Sequence, residues 1–85
     1  MAKFFFHTEG GRSINDEEGA ELETVAAARV EGVRVLGDIL RESPEEVLAT
    51  GHLRLTVTDA AGLVYFALDL SATDAAAGQS RRSGG

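Results

Sequence analysis

The two side chains best suited to moving a proton near neutral pH are His7 and His52. As a general acid and base they would both have to reach one substrate. His7 ends the run Lys3-Phe4-Phe5-Phe6, whereas His52 follows Gly51 at the entrance of an alternating segment, and nothing in the sequence brings the rings together. His7 therefore reads as a histidine satisfied by a backbone or carboxylate partner on a sheet surface, and His52 as solvated. Five carboxylates, Asp16, Glu17, Glu18, Glu21 and Glu23, fall within eight positions. Hard cations take oxygen ligands, but the run lacks the Asp/Asn ladder and distal Glu of a calcium loop. It reads as a solvated acidic loop, and no metal is expected. The absence of cysteine excludes a thiolate zinc site, a Cys nucleophile and a disulfide framework. Gly10-Gly11 lacks the Lys-Ser/Thr of a phosphate loop, and no serine sits in a nucleophile elbow. No catalytic residue and no cofactor are expected, so the chain reads as non-enzymatic.

The frame that must position these residues is small. Eighty-five residues allow one domain, and a hydrophobic content of 44% is enough for a core. A chain of this length buries only about 60% of its unfolded surface, so its stability is expected to be marginal. From Ser71 to Gly85 there is no large apolar residue, and that stretch is expected to be a disordered tail behind a domain of residues 1–70. The tail carries +1 (Arg81 and Arg82 against Asp74), which leaves −7 on residues 1–70 of the chain's −6. An acidic body argues against nucleic acid as a partner. No apolar run approaches a membrane span or a secretory signal, so a cytoplasmic protein is expected.

Lys3–Thr8 reads as a strand, since consecutive aromatics suit a pleated surface. Glu9-Gly10-Gly11 is a turn signal, and Arg12–Asn15 is expected to return as a short second strand. Thr24 is placed to cap a helix over Val25–Glu42, whose apolar face is Val25, Ala28, Gly32, Leu36, Ile39 and Leu40. Glu21 and Glu23 are expected near its positive end. Gly32 inside that face predicts close approach of the helix to a sheet, and Arg29, beside the stripe, is expected to pair with Asp16. Ser43-Pro44-Glu45-Glu46 predicts a capping box and a short helix to about Ala49, stopped by Gly51. Leu53, Leu55 and Val57 alternate with Arg54, Thr56 and Thr58 as a half-buried strand. Asp59-Ala60-Ala61-Gly62 turns the chain with glycine in the left-handed position, and Leu63–Leu70 returns antiparallel. The fold class is α+β: a two-layer β-β-α-β-β arrangement with one helix packed on a small antiparallel sheet.

With the helix over Phe4, Phe6, Leu55, Val57, Phe66 and Leu68, the open sheet face is expected to show Phe5, His7, Arg54, Thr56 and Tyr65. An exposed apolar surface of this kind predicts a protein contact, as a homodimer or with another bacterial protein. Two aromatics beside Arg54 would alternatively suit stacked bases, as in an antitoxin-like module that touches nucleic acid as an oligomer. The ordered motifs Lys3-Phe4-Phe5-Phe6-His7, Asp16-Glu17-Glu18-Gly19-x-Glu21-Leu22, Ala27-Ala28-Arg29-x-Glu31 and Val57-Thr58-Asp59-x-x-Gly62 resemble a family of small alphaproteobacterial proteins classed as a domain of unknown function. The resemblance covers most of residues 3–70, with Phe4 in place of a usual tyrosine. It implies this fold and a bacterial cytosolic source, and no activity.

Overall fold

The computed structural model describes residues 2–75. Strands β1 (Ala2–Gly10) and β2 (Ala20–Leu22) precede helices α1 (Val25–Glu42) and α2 (Pro44–Thr50), and strands β3 (His52–Thr58) and β4 (Val64–Ser71) follow. The sheet is antiparallel throughout, in the order β2-β1-β3-β4. The α+β class and the single helix layer are as the sequence predicts, with α2 an appendage of about two turns.

Alternation along β1 and β3 builds the covered face. Phe4 and Phe6 of β1 and Leu53, Leu55 and Val57 of β3 are buried, and α1 lays Ala28, Gly32 and Ile39 against them. Val35 and Leu36 bridge the cluster around Phe4, Phe6, Ala28, Leu55 and Val57 to a second one around Ile39, Val47 and Leu53. Full burial of a side chain such as Leu55 or Val57 stabilises the fold by about 1.5–3 kcal/mol each. Gly32 provides the predicted close approach: a Cβ there would lie 3.3 Å from Leu55 Cδ2 and 3.5 Å from Val57 Cγ2.

Local signals end the elements where the sequence predicts. Thr24 Oγ1 accepts the N–H of Ala27 at 3.0 Å. Gly51 closes α2 in the left-handed conformation, and Gly62 does the same for the hairpin turn, donating its N–H to the Asp59 carbonyl at 3.0 Å. Asp59 Oδ1 steadies that turn by accepting the N–H groups of Ala61 and Leu63.

Four expectations are corrected. Arg12–Asn15 is not a strand; Ile14 makes one isolated bridge to Thr8, and the second strand is Ala20–Leu22, with Glu21 opposite Lys3 and not at the helix end. Ile14 is the only large apolar residue of that stretch, too little to hold a longer ladder. The Ser43 side chain makes no cap, because its backbone already ends α1 with an N–H bond to the Ile39 carbonyl at 2.8 Å. Arg29 does not meet Asp16; its guanidinium lies over the Phe66 ring, 5.4 Å from the centroid. Chain order also extends past Leu70: Ser71 pairs with His52, and the Ala72 N–H reaches the Gly51 carbonyl at 2.9 Å. The rest of the expected disordered tail, from 76 onward, lies outside the described residues.

Candidate functional site

The residues proposed for the open face separate into three groups. Phe5 and His7 project from β1 on the side away from α1, their rings parallel with centroids 6.4 Å apart. Both are half-buried. Thr56 stands opposite His7 on β3, and Arg54 stands opposite Glu9. Arg54 is already occupied: its Nη1 reaches both carboxylate oxygens of its cross-strand neighbour Asp69 at 3.1 Å. Tyr65 leaves the group. The β3–β4 register shifts between Val57 and Thr58, so Val57 faces Phe66 while Thr58 faces Val64, and Tyr65 is the extra residue of a bulge. Its ring packs edge-on against Phe4 of the core, centroids 5.7 Å apart. The expected row of two aromatics flanking a free arginine is not assembled.

His7 is built into the fabric of the sheet. Its Nδ1 accepts the backbone N–H of Asp16 at 3.2 Å, and its Nε2 lies 3.2 Å from Thr58 Oγ1. The first contact assigns the ring proton to Nε2, which then donates to the buried Thr58 hydroxyl. The partner the sequence predicted for His7 is thus a backbone group and a hydroxyl. His52 lies elsewhere: His7 stands opposite Thr56, four positions along β3 from His52, or about 13 Å.

Asp16, read from sequence as part of an acidic loop and as a partner for Arg29, has a different role. Its Oδ2 accepts the N–H of Phe6 at 3.0 Å, and its Oδ1 accepts those of Glu18 and Gly19 at 3.1 and 3.2 Å. Burial by itself raises the Asp16 carboxyl, but the three backbone donors and the nearby His7 together hold it below the ordinary value of 3.8. The signal was the Asp-x-x-Gly spacing of Asp16 and Gly19, a turn in which the aspartate bonds the backbone ahead of it. The other acidic residues of the loop, Glu17 and Glu18, are exposed, and among the described residues no group of three or more ligating side chains converges.

Two further observations bound the chemistry. No helix of the described residues is long and apolar enough to cross a membrane. The exposed large apolar side chains include Val30 and Val33 on α1 and Leu63, Val64 and Tyr65 around the start of β4, where Val64 stands opposite Thr58.

A family model described as Domain of unknown function (DUF6894) matches residues 3–71, spanning every motif of the resemblance drawn above. No curated protein and no solved structure matches the chain.

Proposed function

The chain belongs to this family of unknown function, and we propose that it works as a protein-contact module without catalysis of its own. The observation that carries this reading is the pair of exposed apolar side chains that opens β4: Leu63 and Val64, adjacent in the chain, are 61% and 55% exposed. Adjacent apolar exposure of this kind suits an interaction surface. The state of the reactive candidates supports the same reading, since both ring nitrogens of His7 are engaged in holding β1 to its neighbours.

The contact surface is centred on the start of β4, where Val64 stands opposite Thr58, in preference to the Arg54 and Tyr65 positions, because Arg54 is matched by Asp69 and Tyr65 is committed to Phe4. Stacked bases would need those groups free, and the charge of −6 opposes a phosphate backbone.

A photoreactive amino acid at Leu63, introduced into the full chain in bacterial cells, tests the proposal. Discrete protein adducts, including a self-adduct, are expected. Adducts that vanish on nuclease treatment would move the function to nucleic acid, and a folded protein that yields none would overturn the reading.

A further inference from the structure

We infer that His7 and Asp16 form a proton-operated latch: the turn of residues 15–19 is held on β1 while the His7 imidazole is neutral, and is released when the ring takes up a proton. This inference goes beyond the protein-contact reading and does not depend on it.

The turn is tied to β1 through one residue. Upstream, the chain is fixed at Thr8, which exchanges 2.9 Å backbone bonds with Ile14 and whose buried hydroxyl donates to the Arg12 carbonyl at 2.8 Å. Downstream, Ala20 begins the three-residue pairing of β2 with β1. Between those anchors, Asp16 makes both polar links to β1 found among the described residues. Its Oδ2 accepts the Phe6 N–H at 3.0 Å, and its own N–H donates to His7 Nδ1 at 3.2 Å. Gly19, with φ of 72°, lets the turn sit close: a Cβ there would lie 2.9 Å from Lys3 Cγ and 3.0 Å from Phe5 Cε2.

The two links differ in what a proton does to them. A neutral imidazole has one acceptor nitrogen, and here it is Nδ1, because the backbone N–H facing it can only donate. The proton that charges the ring goes to that nitrogen, and both ring nitrogens are then donors. Nε2 keeps its partner, since the Thr58 hydroxyl oxygen accepts from it in either state. At Nδ1, two N–H groups confront each other and the Asp16 N–H loses its acceptor. Attraction between the charged ring and the Asp16 carboxylate opposes release. It acts, however, on oxygens that already hold the N–H groups of Phe6, Glu18 and Gly19, and it gives the Asp16 N–H no acceptor. Both helices pack on the other face of the sheet, so the charges that face His7 come from the strands and the turn. Along β1 these are Glu9, opposite an Arg54 already matched by Asp69, and Lys3, opposite Glu21. From the turn they are Asp16 and the exposed Glu17 and Glu18. Asp16 remains a carboxylate when a histidine gains its proton, since its own carboxyl is held below the ordinary 3.8.

Nuclear magnetic resonance of the full chain tests the latch between about pH 8 and about pH 5, the span over which histidines charge. The Asp16 amide is expected to shift with the same midpoint as the His7 ring. Its protection against hydrogen exchange, corrected for the intrinsic effect of pH on exchange, is expected to fall roughly ten-fold as the ring charges. The amides of Glu18, Gly19 and Ala20 should follow it. His7→Asn puts a side-chain oxygen near the place of Nδ1 and carries no titrating group, so its turn should stay protected across the whole span, with His52 left in place as the control. Protection of Asp16 that is constant, or that rises as His7 charges, overturns the latch whatever the variant does. A folded His7→Asn whose turn loosens over the same span as the wild type also overturns it.

Discussion

The carboxylate of Asp16 accepts the backbone N–H of Phe6 at 3.0 Å, ten residues back in the chain, and so fills with a side chain the place a neighbouring strand would take. Between the β2 ladder, which ends at Phe4, and the Ile14 bridge at Thr8, the edge of β1 has a gap one residue pair wide. Asp16 closes it, and donates its own N–H to the imidazole Nδ1 of the next residue, His7.

Asp16→Ala removes the acceptor for three backbone N–H groups, of which those of Phe6 and Gly19 are partly buried. A loss of about 1–3 kcal/mol in urea unfolding is expected, with Asp16→Asn intermediate because an amide oxygen still accepts. Since the carboxyl is held below 3.8 in the folded chain, its contribution is complete well above that pH and is lost as pH falls through the lower folded value. The stability difference between the wild type and Asp16→Asn should therefore shrink on acidification below about pH 4. A difference independent of pH would show that the carboxylate charge contributes nothing.

His7 should carry its proton on Nε2 when neutral, because Nδ1 is the acceptor for Asp16. Nitrogen chemical shifts of the imidazole ring distinguish the two tautomers. An Nδ1–H form, or fast averaging of the two, would mean that the Asp16–His7 bond is absent in solution.

The two helical glycines should respond differently to alanine. A Cβ at Gly37 meets nothing within 4 Å, so Gly37→Ala is expected to stabilise by about 0.5–1 kcal/mol through helix propensity alone. At Gly32 the new methyl would press on Leu55 Cδ2 at 3.3 Å, which offsets that gain. Gly32→Val should cost about 1–3 kcal/mol by overpacking. Thermal unfolding of the three variants gives the order, and equal gains at both positions would contradict the tight α1–sheet contact.

How much of this was legible depended on whether the signal was periodic. Leu53-Arg54-Leu55-Thr56-Val57 announced its covered face, and the same alternation separated Phe4 and Phe6 from Phe5. Thr24, Gly51 and Gly62 announced where elements end, because capping and left-handed turns demand those residue types. Tyr65 was misplaced because a bulge moves one residue out of alternation, and nothing in Leu63-Val64-Tyr65-Phe66 marks the register shift. Ala20–Leu22 was unreadable as a strand: three residues without a β-branched side chain carry no pattern, and they pair only because Asp16 and Gly19 turn the chain back along β1. The Asp16 contact to Phe6 is long in sequence and depends on that turn, so the sequence pairs the carboxylate with Arg29 instead. The edge of β4 likewise has no local mark, because being last in a sheet follows from strand order.

The unequal edges also fix a valence. Because Asp16, Ile14 and the three-residue β2 occupy one margin of the sheet, β4 is, among the described residues, the one margin open to strand addition, and one pairing would consume it. Addition of this kind would stop after one pairing and would not propagate into a fibre, the usual hazard of an unguarded strand. The carboxylate that stands in for a missing strand at Phe6 thus acts as a chain stopper, and the margin it guards is where a loss of Asp16 would first permit growth.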